Sequence, residues 1–195
     1  MRRFLNVTGD LSVEDVKSLL NWKFKFLSNQ DREQLVSKIQ PKMREKLVRF
    51  NEFRNLNKIS DFEFGRMWEL CWNLAIEVGL RLVLASFLLH IARPWNYPMA
   101  DRHVLRAFDF IRSGDIQENP LEKMVDSQAV DIYQSYATFF FKFMFLSHNG
   151  PREIDKALWC YGRQMKQDRT LFQERLRKAS VSSTDPTRSR TTESL

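Results

Sequence analysis

The sequence predicts an all-α fold, with a single globular domain of several helices over residues 1–178 and a disordered tail over residues 179–195. Only 6 glycines and 6 prolines interrupt the chain, too few for the frequent turns of a β-sheet protein. Hydrophobic residues make up 43% of the chain and recur at helical spacing, enough to bury a sizeable core. Beyond Lys178 the composition changes to serine, threonine and balanced charges, which is typical of disorder.

Two capping boxes predict helix starts in the first third of the chain. Ser12 is followed three residues later by Asp15, and Ser60 is followed in the same way by Glu63. In this pattern the serine hydroxyl accepts from the backbone of the acidic residue, and the acid accepts from the backbone of the serine. Helices are therefore expected to begin directly after Ser12 and after Ser60.

A strongly basic stretch follows a predicted helix end at Pro41. The element that starts at residues 29–31 is expected to end there, because proline lacks the N–H that a helix interior requires. The pattern that follows fits either a helix that faces phosphates or an ordinary solvated face, and Glu45 and Glu52 favour the second. Its cations are Lys42, Arg44, Lys46, Arg49, Arg54 and Lys58.

A buried central helix is predicted over residues 80–92, which are apolar nearly all round. His90 within it is interpreted as a hydrogen-bonded core histidine, because no second His or Cys stands three or four residues away to share a metal ion. Cys71 and Cys160 have no CxxC partner and are predicted to be reduced core residues of a cytoplasmic protein. The helix before the central one carries a stripe that is also expected in the core: Phe64, Met67, Trp68, Cys71, Trp72 and Ala75.

Three more helices are predicted in the second half of the chain. Asp101 is the expected N-cap of the first, after a loop with two prolines, and Gly114 is its expected end. Residues 131–146 place aromatic side chains at helical spacing, although residues 139–145 also fit a strand. Pro151 is expected at the first position of the last helix. The outward face of that helix would carry Arg152, Lys156, Arg163 and Lys166.

The charge balance is compatible with DNA or RNA as a partner. Lysine and arginine number 31 against 24 acids, which gives a net charge of +7 and attracts polyanions without specifying one. The longest apolar runs, residues 82–89 and 137–146, are far below the roughly 20 residues that cross a bilayer. We therefore expect a cytoplasmic protein with no membrane partner, no metal and no cofactor, while its oligomeric state stays open.

The segment Asp101-Arg102-His103-Val104-Leu105-Arg106 is similar to the motif around the catalytic aspartate of helix-hairpin-helix DNA glycosylases. The likeness covers residues 79–107 and implies that this part of the chain shares their helical fold. It also implies that Asp101 is the essential carboxylate, which stabilises a cationic sugar and helps to position water. His103 would then orient Asp101 or contact phosphate.

The hairpin that precedes this motif departs from the family pattern. Gly79 falls on the first hairpin glycine, but Arg81 falls on the second, where a side chain prevents close approach of the backbone to phosphate. Val83 falls on the lysine nucleophile of the bifunctional members, so a lyase that forms a Schiff base is not expected. A monofunctional glycosylase would not need that lysine.

A second resemblance covers more of the chain. Residues 85–94, 97–99, 101–107 and 152–162 resemble uncharacterised bacterial all-helical proteins. These share an aspartate after a proline-rich loop and a closing helix of the form Asp-Lys-x-Leu-Trp-x-Tyr-Gly. The likeness implies a helical fold but indicates no particular reaction.

The sequence leaves three alternative functions, each from a different class. The first is a nucleic-acid-associated helical module related to the glycosylases but without chemistry. The second is a divergent monofunctional DNA glycosylase, with Asp101 and His103 as its catalytic residues. The third is a protein–protein interaction unit, in which Asp101 only caps a helix. The residues predicted to contact nucleic acid are Arg81, Arg102, Arg106, Arg152, Lys156 and Arg163.

Overall fold

Seven α-helices and one short 3₁₀ turn make up the described part of the protein, which in this computed structural model is residues 9–114, 121 and 125–168. No strand occurs among these residues, so the prediction of an all-α fold is confirmed, and residues 139–145 are helical. The predicted tail and the domain boundary at residue 178 lie outside the described residues. The helices are α1 (Val13–Lys23), α2 (Asn29–Asn55), α3 (Asp61–Glu77), α4 (Arg81–Ala92), α5 (Arg102–Ser113), α6 (Ala129–Ser147) and α7 (Pro151–Gln167), with the 3₁₀ turn at Asp126–Gln128.

Both predicted capping boxes are present. The Ser12 hydroxyl accepts from the backbone N–H of Asp15 at 3.1 Å, and the Asp15 carboxylate accepts from the backbone N–H of Ser12 at 2.8 Å. Ser60 and Glu63 make the same reciprocal pair at the start of α3. These contacts satisfy amide groups that have no partner within the helix, so the local sequence alone sets where α1 and α3 begin.

Pro41 does not end a helix, contrary to the prediction. It lies inside α2, which continues for fourteen residues beyond it to Asn55. Both Pro41 and Ser37, whose carbonyl loses its hydrogen bond to residue 41, are exposed, so water can satisfy the free carbonyl. Buried Ile39 and Met43 anchor the helix to the core on the opposite side.

The hydrophobic core is built around α4. The side chains of Leu82, Leu84, Phe87, Leu88 and Leu89 are completely buried, as the apolar character of this segment predicts. The core that surrounds them is one continuous cluster, to which all seven helices contribute. The aromatic stripe of α3 lies in this cluster as predicted.

Two arginines hold the carboxyl ends of α2 and α4 together. Arg93, directly after α4, donates from Nη1 to the carbonyl oxygens of Phe53 at 3.3 Å and of Leu56, at the end of α2. Arg54, in the last turn of α2, donates from Nη1 to the carbonyl oxygen of Ile91 at 2.7 Å, at the end of α4. Each guanidinium therefore satisfies terminal carbonyls of the other helix and opposes the negative end of its dipole.

Helices α5 and α7 are in backbone contact at Gly162. A Cβ atom at this position would overlap the carbonyl oxygen of His103 and lie 2.7 Å from its carbonyl carbon. The absence of a side chain thus lets α7 lie directly on α5. Arg106 crosses the same contact, because its Nη1 donates to the carbonyl oxygen of Gly162 at 3.0 Å.

The prediction that both cysteines lie in the core is wrong for Cys160. Cys71 is buried, and burial raises the pKa of its thiol, so it remains protonated. Cys160 is exposed, because the buried positions of α7 are Ile154, Leu158, Gly162 and Met165 and residue 160 falls on the opposite side. The apolar character around Cys160 therefore belongs to its neighbours on the buried face.

The second half of α6 leaves several apolar side chains exposed. Tyr133, Tyr136 and Phe140 are buried, but Phe145 is 76% exposed and Leu146 is 65% exposed. The stripe predicted for this helix thus enters the core as far as Phe140, and only partly buried side chains pack on the core beyond it. Within the described part of the chain, each helix is too short or too polar to cross a lipid bilayer.

Candidate functional site

The loop that carries Asp101 is held from two sides. The hydroxyls of Tyr133 and Tyr136, both on α6, donate to the carbonyl oxygens of Pro98 and Met99, each at 3.0 Å. The buried hydroxyl of Ser86, on α4, accepts from the backbone N–H of Ala100 at 3.0 Å. These contacts fix the backbone that directly precedes α5.

Asp101 is the N-cap of α5, as predicted. One carboxylate oxygen, Oδ1, accepts from the backbone N–H of His103 at 2.8 Å and of Val104 at 3.1 Å. The side chain is half-buried. The capping role therefore accounts for one oxygen of the residue that the family motif singles out.

A second carboxyl group, Asp155 of α7, lies close enough to interact with Asp101. Burial and, to a smaller extent, the nearby carboxylate of Asp101 together raise the pKa of Asp155 to about 6, although Lys23 of α1 opposes both effects. Among the described residues, nothing makes a hydrogen bond or an ion pair with the Asp155 carboxylate. The side chain is half-buried, so its carboxylate has only limited access to water and is open to a partner from outside the protein.

Asp155 lines an open cavity of about 850 Å³, which we call the aromatic pocket. Three tryptophans from three separate parts of the chain contribute to its wall, Trp22 from α1, Trp95 from the loop after α4 and Trp159 from α7. His90 of α4 also lines it, and its Nδ1 lies 2.8 Å from the carbonyl oxygen of Tyr97, as expected for a hydrogen-bonded core histidine. The volume falls within the range of about 300–1,000 Å³ that is usual for small-molecule sites.

His103 lies beside this pocket, against Trp159. The two rings meet edge to face with centroids 5.2 Å apart, and Nη1 of Arg106 lies 3.3 Å from Nδ1 of His103. Burial lowers the pKa of His103, and the charges of Arg106 and Arg102 lower it further, against the opposing effect of Asp101. The ring is therefore neutral at pH 7, with Nδ1 free to accept from Arg106.

The exposed side of α7 carries a row of cations past the pocket. Arg152, Lys156, Arg163 and Lys166 are all exposed, and we call them the α7 basic face. Trp159 lies between them, with the guanidinium of Arg163 5.2 Å above its ring. From residue 152 to residue 166 the row extends about 21 Å along the helix. Arg152 and Lys156 also line the aromatic pocket, so the two features are continuous.

No protein-family model, curated protein or solved structure matches this chain. The resemblance to helix-hairpin-helix glycosylases therefore rests on residues 79–107 of the sequence alone. Among the described residues, no group of three or more His, Cys, Asp or Glu side chains is placed to hold a metal ion.

The structure brings most of the predicted site residues to one side of the molecule. Asp101 and His103 lie next to Asp155 and Trp159, and Arg102 is exposed at the start of α5. Three of the predicted nucleic-acid contacts belong to the α7 basic face: Arg152, Lys156 and Arg163.

Two of the predicted nucleic-acid contacts differ from the others, because Arg106 is buried beneath the site and Arg81 lies away from it. Arg106 is only 1% exposed and is bonded to Gly162, so its prediction as a phosphate contact is wrong. Arg81 starts α4, about 14 Å along the helix axis from His90, and forms an ion pair with Asp126 at 3.6 Å. Its φ of 37° lies in the left-handed region that favours glycine, the residue type that the family motif has at this position.

Sequence reasoning missed Asp155 and the tryptophans of the pocket. Asp155 precedes Leu158 and Gly162 by three and seven residues, so it shares the face of α7 that becomes buried. The position of this acid on the buried face of α7 is the sequence signal that could have identified it. Trp22 and Trp95 gave no such signal, because they are distant in sequence and meet only through the tertiary fold.

Proposed function

We propose that this protein is a nucleic-acid-binding helical module that holds the sugar-phosphate backbone on the α7 basic face. The observation that carries the proposal is the placement of four exposed cations on one side of a single helix, with an aromatic ring between them. Lysine and arginine side chains in such a row neutralise phosphates and release counterions, which drives binding without regard to base sequence. The net charge of +7 favours the same partner.

The continuity of this face with the aromatic pocket favours a single strand over a regular duplex. Arg152 and Lys156 belong to both features, so a backbone bound along α7 passes the mouth of the pocket. Proteins that bind single strands combine a basic track with aromatic rings on which unstacked bases lie. In a regular duplex the bases are stacked inside the helix and unavailable to such rings.

Affinity for a DNA or RNA oligonucleotide, measured by fluorescence anisotropy over a range of salt concentrations, tests this proposal. We expect binding that weakens steeply with salt. The triple variant Arg152→Gln, Lys156→Gln and Arg163→Gln should bind at least tenfold more weakly. Its slope against the logarithm of salt concentration should be shallower by about 2 for a single strand, since each lost phosphate contact removes about 0.7.

A matched control removes three cations from another helix. Lys38, Arg44 and Arg49 are exposed on α2, and their joint replacement by Gln changes the net charge equally. The control should bind as the parent protein does. Equal losses in both triple variants would show attraction by net charge alone, and a loss in the control alone would place the interface on α2. Absence of binding at low salt would overturn the proposal and leave the interaction unit.

A second candidate function is a divergent monofunctional glycosylase that uses Asp101. The observation that favours it is the pair formed by Asp101 and Asp155, because two carboxyl groups in different environments are a common arrangement for acid–base chemistry. This candidate predicts base release from duplexes with deaminated or oxidised bases. Asp101→Asn should abolish that release, and a variant as active as the parent would remove Asp101 from the mechanism.

A further inference from the structure

The carboxylate of Asp155 is a hydrogen-bond acceptor without a donor in a cavity that several aromatic rings line. Within the described residues its two oxygens have no bonded partner, although burial makes such a partner worth more than it would be in water. Burial raises the pKa of Asp155 to about 6, so at pH 8 the group is ionised and can only accept. A ligand that fits must therefore offer donors, and preferably two in parallel.

The walls of the pocket indicate a flat ring as the ligand. Trp22, Trp95 and Trp159 supply large planar surfaces, and Phe140 and Phe141 of α6 add two more rings. Trp95 is 70% exposed, which leaves its ring available to a partner from outside. Planar heteroaromatic rings stack on such side chains whatever their substituents.

The charges at the rim indicate that the ring carries phosphate. Arg152 and Lys156 line the same cavity and outnumber the one exposed acid there, Glu153. Both cations are exposed, so they can reach a phosphate while the ring lies inside. An organic cation would also satisfy Asp155, but these two side chains would repel it. A nucleotide meets all three requirements, with a ring, hydrogen-bond donors and a phosphate.

Among the nucleobases, the donor pattern selects guanine. Its Watson–Crick edge presents two adjacent donors, N1–H and the N2 amino group, which match the two oxygens of a carboxylate. Adenine and cytosine offer one amino donor beside a ring-nitrogen acceptor, and thymine offers one N–H between two carbonyls. An ionised carboxylate repels these acceptors.

We propose that the aromatic pocket holds one unpaired guanine base, stacked on its tryptophans, with N1–H and the N2 amino group donating to the carboxylate of Asp155. The base belongs either to a strand bound along the α7 basic face or to a free guanine nucleotide. The first source rests on the function proposed above, whereas the second does not.

Two binding experiments at pH 8 test the inference and separate the sources. In the first, a thymidine oligonucleotide with one central guanosine is compared with the same strand carrying adenosine there. The guanosine strand should bind about tenfold more tightly. In the second, GMP and AMP are titrated against intrinsic tryptophan fluorescence. Three of the 5 tryptophans line the pocket, so binding of GMP there should quench the emission.

Asp155→Asn is the decisive variant, because its amide keeps the shape but replaces one acceptor by a donor. It should lose the preference for guanine while its affinity for the strand with the central adenosine stays close to that of the parent protein. Glu153→Gln is the matched control, since Glu153 lines the same cavity on the same helix and the charge change is equal. This control should keep the preference.

The outcomes distinguish this inference from the proposed function. Strand binding without a guanine preference, or a preference that survives Asp155→Asn, overturns the inference and leaves the proposed function standing. A response to GMP that depends on Asp155, without strand binding, overturns the proposed function and supports a free nucleotide as the ligand. Absence of both kinds of binding overturns both.

Discussion

Asp155 is a residue whose charge destabilises the folded protein. Burial raises its pKa from the ordinary 3.8 to about 6, so the folded state holds the proton more tightly than the unfolded chain does. The contribution of this group to stability is therefore fully present below about pH 4 and is lost as the pH rises through about 6. A partnerless carboxylate that costs stability at neutral pH fits a group whose partner is a ligand.

Asp155→Asn is accordingly expected to stabilise the protein at pH 8. The amide cannot ionise, so the cost of the buried charge disappears, with a gain on the order of 2 kcal/mol in the free energy of unfolding. At pH 4 the gain should vanish, because Asp155 is then protonated in the folded parent as well. Urea unfolding at the two pH values measures the difference. A variant that is less stable than the parent at pH 8 would contradict this account of the residue.

Two glycine-to-alanine substitutions should change stability in opposite directions. Gly162→Ala would place a methyl group on the backbone of His103 and push α7 away from α5, at a cost of about 3 kcal/mol. Gly65 lies exposed in α3 with open space around it, so Gly65→Ala should stabilise by about 0.5–1 kcal/mol through helix propensity. Thermal unfolding of the two variants gives the comparison, and a neutral Gly162→Ala would show that the helices can separate at no cost.

Single residues were predictable where their role is local. The capping role of Asp101 and the hydrogen-bonded state of His90 both follow from neighbours within seven residues. The burial of Arg106 does not, because it depends on Gly162, 56 residues further along the chain. Spacing along one helix shows which side chains share a face, but it does not show which face another helix will cover.

At the scale of a helix, the amino end of α5 combines a capping role with an electrostatic one. Asp101→Ala removes the acceptor for two backbone N–H groups and should cost about 1 kcal/mol. Asp101→Asn keeps an oxygen acceptor and should leave stability nearly unchanged, while removal of the charge lowers the pKa of Asp155. Unfolding free energies of both variants, together with NMR titration of Asp155, separate the two roles. A pKa of Asp155 that does not move in Asp101→Asn would mean that the two carboxyl groups do not interact.

Helix starts were predicted well and one helix end was not, for a physical reason. A capping box is complete within four residues, so Ser60 and Glu63 specify the start of α3 wherever the helix packs. The effect of Pro41 depends on whether the carbonyl it leaves unbonded faces water or protein. Packing of α2 against the core decides this, and the exposed side of the helix tolerates the loss.

At the scale of the molecule, the aromatic pocket shows why the site was only partly predictable. The pattern of α7 gave its basic face directly, because a helix of known register separates Arg152 and Lys156 from buried Ile154 and Leu158. The pocket requires α1, α4, α6, α7 and a loop to meet, and these segments span residues 22–159. Composition and periodicity carry no information about such a meeting, so the fold class was predictable and the cavity was not.

The exchanged guanidinium caps of Arg54 and Arg93 make two helix ends depend on each other. Fraying of the last turn of α2 would pull Arg54 away from Ile91 and strip Arg93 of its acceptors at the same time. The two termini, about 37–40 residues apart in sequence, should therefore open as one cooperative unit. Their amide protons should exchange with solvent at a common rate, slower than expected for helix ends. The segment that leads to Asp101 begins at Arg93, so the same contacts would restrict its motion.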